Sequence, residues 1–187
     1  MKLKKLSLAG LLMSLLIATS CGNSKSTGDG GEGNDSSQNA NEVIAPAPNW
    51  EYSTGVDEME SDSIYYATCT STNGVELKRA LNDELCKMDI TIRYSDKQNE
   101  VLLVTNAGTL SGVATGQTVR VKFDDGKVED VYCSGASSLN GKVIFVSKAK
   151  RFIEKLKVSK KVKIEAEFVM EGNGVFDFDT EGLKWNY

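Results

Sequence analysis

The side chains best suited to covalent chemistry in this 187-residue sequence are four cysteines, at positions 21, 69, 86 and 133. The sequence contains no histidine. The chain alone therefore cannot supply a Ser-His-Asp set, a Cys-His set or a His-ligated zinc or haem. A reactive thiol would need another cation or a helix N-terminus to lower its pKa. We expect no catalytic residue, no metal site and no cofactor.

The sequence around Cys21 differs from that around the other three cysteines, because a short apolar stretch precedes it. Lys2, Lys4 and Lys5 precede 13 residues, 6–18, that are too few for a helix to cross a bilayer about 30 Å thick. The stretch ends in small residues and resembles a bacterial lipobox, in which the cysteine is lipidated. We expect residues 1–20 to be a lipoprotein signal peptide and Cys21 to carry the lipid, palmitate included. An ordinary signal peptide that contains a cysteine is the alternative.

The segment after Cys21 is polar and acidic. Among residues 22–41 the single apolar side chain is Ala40, too little to offset the entropy of ordering the chain. We interpret 21–48 as a lipidated cysteine with a flexible polar tether, and 49–187 as one globular domain. Removal of 20 residues and three lysines would leave 167 residues and change the net charge from −4 to −7. An acidic chain of this kind is a poor nucleic-acid binder.

Three cysteines remain for the domain, and an odd number in an exported chain allows at most one bridge. Cys69 and Cys133 lie in strand-like apolar runs, where a free cysteine behaves as a small hydrophobic residue. Three pairings can be drawn, of which Cys69–Cys86 is our candidate disulfide. The alternative is that all three thiols are reduced and buried.

The period of the apolar residues predicts mostly strands. Apolar and polar residues alternate over 88–94, 119–123 and 162–168, and turn-forming residues at 95–99, 124–127 and 171–174 predict a hairpin after each run. Helical spacing is convincing only over 147–158, where Ser147 is placed to cap the first turn. We predict a mainly β fold of roughly eight strands, an antiparallel sandwich or partly open barrel with one α-helix packed near the C-terminus.

Glycines recur at every fourth position from 108 to 116, a spacing known from membrane-helix dimers. The residues between them are rich in threonine and serine, so we predict a loop or a set of turns instead.

Charge is distributed unevenly along the chain. Residues 21–62 contain one lysine and nine acids, whereas residues 142–163 contain nine basic side chains and one acid. The basic stretch can be a solvated helix face next to a partly paired strand, or it can bind an acidic partner. The candidate residues for such a patch are Lys148, Lys150, Arg151, Lys155, Lys157, Lys160 and Lys161.

Several short patterns occur together in the domain: WxY at 50–52, DEM at 57–59, AxxxSTN at 67–73, ITIR at 90–93, VxFDDG at 121–126 and FxFxxxGLxW at 176–185. Together they resemble an uncharacterised family of small bacterial envelope lipoproteins, some associated with prophages. More distantly, they are similar to the periplasmic TagO/VasI-like accessory proteins of type VI secretion. The resemblance covers about residues 49–187 and implies a β-rich periplasmic domain without a known enzymatic activity.

Three classes of function follow from these features. We favour a membrane-anchored, non-catalytic binding or assembly module of the bacterial envelope. Its partners would be the membrane, through the lipid, and an unknown envelope protein or an anionic glycan or lipid, but not nucleic acid. The glycine after Cys21 resembles lipoproteins sent to the outer membrane, which is the expected location.

The second class is a periplasmic inhibitor of lysozyme-type enzymes, which an acidic surface would suit electrostatically. The third is an enzyme that uses paired carboxylates for glycoside cleavage. Its candidate pairs are Asp124-Asp125, Glu129-Asp130 and Glu165-x-Glu167.

Overall fold

A computed structural model of the protein describes residues 49–57, 59, 62–78, 85–112, 114–135 and 141–187. The predicted signal peptide, Cys21 and the predicted tether lie outside these residues. Within the described residues there is no helix long and apolar enough to cross a bilayer.

Nine strands and one helix make up the described part of the chain. They are β1 (Glu51–Val56), β2 (Ser63–Thr70), β3 (Met88–Ser95), β4 (Gln98–Thr105), β5 (Gln117–Phe123), β6 (Val128–Gly135), β7 (Val143–Val146), α1 (Ala149–Val158), β8 (Lys161–Phe168) and β9 (Gly172–Asp179). All strand pairs are antiparallel, in the order β1-β2-β3-β4-β7-β6-β5-β8-β9. The predicted mainly β, antiparallel fold with one packed helix is confirmed, as one open sheet that does not close into a barrel.

The alternation of apolar and polar residues that predicts the strands matches the alternation of buried and exposed side chains. In β3, Met88, Ile90 and Ile92 are fully buried, while the residues between them are partly exposed. The core continues into β8 and β9, where Phe168 and Phe176 pack with ring centroids 6.0 Å apart. Burying a large apolar side chain contributes about 1.5–3 kcal/mol, so these faces account for much of the driving force.

Two of the three predicted hairpins turn where the sequence predicts. Asp96 and Lys97 join β3 to β4 with φ of 50° and 60°, the left-handed conformation of a two-residue hairpin turn. Residues 124–127 join β5 to β6.

The third predicted hairpin is confirmed between β8 and β9, but its turn does not lie at 171–174 as predicted. The chain turns at 169–171, where Met170 has φ 63°, and Gly172 and Gly174 belong to β9. Gly174 leaves room for two packed rings, since a Cβ there would lie 3.0 Å from the Phe168 ring and 3.1 Å from the Phe176 ring.

The loop between β4 and β5 contains the regularly spaced glycines. Gly108, Gly112 and Gly116 have φ of 74°, 71° and 82°, so the predicted set of turns is confirmed. Gly112 accepts hydrogen bonds through its carbonyl from the amides of Gly116 (2.6 Å) and Thr115 (3.2 Å). The spacing therefore reflects backbone turns and not a helix surface.

The sheet curls until β9 lies against the chain that follows β2. The amide of Thr72 donates to the Asp177 carbonyl at 2.7 Å, and the Asn73 side chain accepts from the Asp177 amide at 2.7 Å. The Asn73 amide group also donates to the Val175 carbonyl at 2.9 Å. We call these contacts the seam. They join an early and a late segment of the domain without forming another strand pair.

The C-terminal residues lie at the other end of β2 and β3, beside the β3–β4 hairpin. Trp185 is 2% exposed, and its Nε1 donates to Asn99 Oδ1 at 2.7 Å. Asn99 Nδ2 in turn donates to the Tyr187 carbonyl at 3.0 Å. One asparagine in β4 thereby holds two residues of the tail.

Candidate functional site: the basic face of the helix

Helix α1 places several basic side chains at the surface. Its apolar residues Phe152, Ile153 and Leu156 are buried against the sheet, as the helical spacing predicts. Phe152 meets Phe123 of β5 edge to face, with centroids 5.4 Å apart. Docking of this side turns the basic side of the helix toward solvent.

The predicted cap at Ser147 is wrong. The residue at the N-cap position is Lys148, and no side chain hydrogen-bonds the first turn. The C-terminal end is better satisfied, because the amide and hydroxyl of Ser159 both donate to the Lys155 carbonyl, at 3.1 and 2.7 Å. The helix therefore begins two residues later than predicted, with its first amides uncapped by side chains.

One glutamate neutralises part of the predicted patch. Both Glu129 oxygens of β6 bind the Lys155 ammonium, and Arg151 lies 3.9 Å from Glu129 Oε2. The hydrogen bond from Lys155 lowers the pKa of Glu129, and the charges of Lys155 and Arg151 add to that effect. Lys155 also lies 5.1 Å from the centroid of the Phe123 ring. These contacts hold Lys155 against the sheet.

Two more predicted patch residues have acidic partners, one at the first pair of the β8–β9 ladder and one just beyond it. Lys160 lies 3.2 Å from Glu181, and Lys161 lies 4.0 Å from Asp179. Both pairs are exposed, and an exposed ion pair contributes about 0–1 kcal/mol. Their main consequence is to lower the positive potential on this side of the patch.

Lys148, Lys150 and Lys157 form no ion pair with any described residue. All three are exposed. The seven predicted residues thus divide into four with acidic partners and three without. We call Lys148, Lys150 and Lys157 the unpaired lysines. They lie on the helix and at its N-cap.

A groove of about 240 Å³ lies between α1 and the neighbouring strands. Val131, Val146 and Phe152 supply apolar surface, and Lys148 and Arg151 are among its charged residues. Glu129 also lines the groove, so an anion entering it would meet Arg151 and Lys155 together with their carboxylate partner. This charge pattern favours an anionic ligand on the rim, at Lys148, over one deep in the groove.

In each of the three carboxylate pairs proposed as an acid and a base, one member is engaged in a structural contact. Asp124 accepts from the amides of Lys160 and Lys161 at 2.9 and 2.8 Å. Glu165 binds Arg120 at 2.8 Å, and Glu129 binds Lys155 as described. Sequence reasoning missed the role of Glu129, because no local pattern links it to a residue 26 positions away.

Cys69, Cys86 and Cys133 are free and buried, and the candidate Cys69–Cys86 disulfide is not formed. Cys69 donates to the Asp179 carbonyl at 3.4 Å and Cys86 to the Ala107 carbonyl at 3.2 Å. Burial raises the pKa of Cys69 to about 12, with Asp179 and Asp89 adding to the effect. Burial alone raises the pKa of Cys133 to about 12, and it also raises that of Cys86. Neutral, inaccessible thiols are poor nucleophiles.

These thiols predict a loss of stability at alkaline pH. An unfolded thiol ionises near pH 8.5, whereas folded Cys69 and Cys133 keep their protons to about pH 12. Their contribution is fully present below the unfolded pKa and is lost as the pH rises toward 12. Each thiol should lower the unfolding free energy by about 1.4 kcal/mol per pH unit in that window. Urea unfolding at about pH 7.5, 9 and 10 measures the slope.

The matched control for this prediction is Cys133→Ala, which removes one thiol and should flatten the slope by that thiol's share. All other ionisable groups are common to both proteins, so the difference between the two slopes belongs to Cys133. Equal slopes for the two proteins would contradict a buried, protonated Cys133.

The described residues define the fold class of the protein: a curled antiparallel sheet with one packed helix whose outer face is basic. No protein-family model matches the chain, and no curated protein matches it in sequence. Among solved structures, the chain is similar to the crystal structure of invasion associated protein B from Bartonella henselae. The identity is 15% and the TM-score 0.44, over 72% of this chain and 84% of the other. Likeness at this level supports no conclusion on function.

Proposed function

We propose that this chain is a membrane-anchored, non-catalytic module of the bacterial envelope whose helix face binds an anionic partner. The unpaired lysines are the observation that carries the proposal. Three exposed cations that no described carboxylate neutralises leave a local positive potential on a chain of net charge −4. Such a face attracts phosphates and other anions.

The anchor rests on the sequence pattern before Cys21. The composition between Cys21 and Pro48 predicts a flexible coil, and about 27 residues of such a coil would span on the order of 30 Å root-mean-square. That reach would let α1 contact the headgroups of the membrane that holds the lipid. Anionic lipid is therefore the first partner to test, and each basic residue near such a surface contributes about 1 kcal/mol.

Replacing the unpaired lysines should weaken binding to anionic membranes. We expect Lys148→Gln/Lys150→Gln/Lys157→Gln to reduce the affinity for phosphatidylglycerol-containing vesicles on the order of 10- to 100-fold. The protein is residues 21–187 with Cys21→Ser, so that no acyl chain contributes. Vesicle co-sedimentation measures the bound fraction against lipid concentration at low and at physiological salt, since screening should weaken the interaction.

The control variant Lys78→Gln/Lys127→Gln/Lys184→Gln removes the same charge from exposed lysines of other elements. It should bind nearly as the parent does. Equal losses in the two variants would show a response to net charge alone and would contradict a site on α1. The variant Lys160→Gln/Lys161→Gln should have a smaller effect than the α1 variant, because both lysines already have acidic partners.

A further inference from the structure

A second concave surface lies between β1, β2 and the C-terminal tail. This cleft measures about 360 Å³, within the range of small-molecule pockets. Its aromatic lining residues come from both ends of the domain, and we call the site the aromatic cleft. They are Tyr52, Tyr65, Tyr66, Trp185 and Tyr187.

Tyr187 is held in the aromatic cleft by other rings although about half of its surface is exposed. Tyr187 stacks on Tyr65 and Tyr94 with centroids 4.3 and 5.1 Å apart, and Trp185 meets it edge-on at 5.0 Å. Yet Tyr187 and Tyr52 are each 49% exposed. A half-exposed ring that is already anchored loses little conformational freedom when a ligand covers it, which favours binding.

The hydrogen bonds of the tail fix the aromatic cleft further. Tyr52 Oη accepts from the Lys184 amide at 2.8 Å, and Asn99 holds both Trp185 and the Tyr187 carbonyl. The tail therefore forms a wall of the cleft and does not fill it.

Polar side chains surround the rings. Thr54, Lys184 and Asn186 line the cleft, and the polar atoms of their side chains have no partner among the described residues. They offer a hydroxyl, an ammonium and an amide. Neither Asp nor Glu is among the residues that line the cleft.

We propose that the aromatic cleft binds a saccharide. A pyranose ring has one apolar C–H face, which can pack on an aromatic ring, and a rim of hydroxyl groups that need donors and acceptors. The exposed face of Tyr187 would take the C–H face, while Thr54, Lys184 and Asn186 would hydrogen-bond the hydroxyls. An aromatic cage for an organic cation has the same rings. In this cleft the Lys184 ammonium would repel an organic cation, and no Asp or Glu lines the site to attract one. A saccharide therefore fits the lining better than a cation does.

Titration with two trisaccharides, chitotriose and maltotriose, tests the proposal on residues 21–187 with Cys21→Ser. Amide NMR shifts of Thr54 and Asn186 and the fluorescence of Trp185 report binding. We expect at least one trisaccharide to bind with a dissociation constant of about millimolar strength, a common affinity for a shallow site. Tyr187→Phe should keep that affinity, because the ring remains, and Tyr187→Leu should lower it about tenfold.

Tyr132→Leu is the matched control, because Tyr132 is an exposed tyrosine that lines the groove beside α1 instead. Its saccharide affinity should equal that of the parent. Circular dichroism of each variant confirms that the fold is kept, and the amide shifts of Thr54 and Asn186 in the parent protein still locate the binding if Tyr187→Leu unfolds. No shift in the cleft with either trisaccharide at about 20 mM would overturn the proposal. Binding of choline in place of sugar, or a dimer that buries Tyr187, would also overturn it.

Discussion

Trp185→Ala is expected to lower the free energy of unfolding by about 3–5 kcal/mol, the usual cost of removing a buried tryptophan. Trp185 is 2% exposed and packs at the end of the sheet, so its loss leaves a cavity. It also leaves Asn99 Oδ1 without its donor. The total free energy of unfolding of a domain of this size is about 5–15 kcal/mol. Urea unfolding followed by circular dichroism measures the change.

Trp185→Phe separates packing from hydrogen bonding. It keeps a ring in the site and loses the bond to Asn99, so we expect a smaller loss, about 1–3 kcal/mol. If Trp185→Ala cost less than about 1 kcal/mol, the tail would not be docked as described.

Gly112→Ala should be nearly as damaging, at roughly 2–5 kcal/mol, for a different reason. Gly112 has φ 71°, which costs a residue with a Cβ about 1–2 kcal/mol. A Cβ there would also lie 2.2 Å from the Gly116 carbonyl oxygen and 2.5 Å from its carbon. Backbone atoms closing a turn cannot rotate away as a side chain can, so overpacking adds about 1–3 kcal/mol. Thermal and urea unfolding measure the loss.

Gly172→Ala is the matched control, because Gly172 has φ 86° and a Cβ would meet nothing within 4 Å. Gly172→Ala should lower the free energy of unfolding by about 1–2 kcal/mol, which is the cost of a Cβ at positive φ alone. The difference between the two variants isolates the close approach of Gly112 to Gly116. Equal losses would show that the loop yields and that the steric argument is incorrect.

The strands and the helix were largely predictable from the sequence because each follows from a local period. Each of β3, β5, β8 and α1 buries one face. Burial of one face spaces the apolar residues regularly along the chain, so the sequence alone reveals it. The third hairpin was misplaced because Gly172 and Gly174 look like turn residues. Gly174 instead makes room for Phe168 and Phe176, a demand set by residues that meet only after folding.

The candidate site was predictable as a composition but not as an arrangement. The excess of lysine near α1 is visible in the sequence, whereas the partners of those lysines are 26 residues away in β6 or across β9. Only their geometry shows that Lys155 is neutralised and Lys150 is not. The aromatic cleft escaped notice for the same reason, since Tyr52 and Tyr187 are separated by almost the whole domain.

The seam has a consequence for the timing of folding. Asn73 finds its partners at 175 and 177, and Trp50 Nε1 donates to the Thr180 carbonyl at 2.9 Å. Contacts of such high sequence separation form late and slowly. A chain still being synthesised lacks β9 at first, so its core stays open along that side. Folding of this domain therefore cannot be completed before residues 175–180 have left the ribosome.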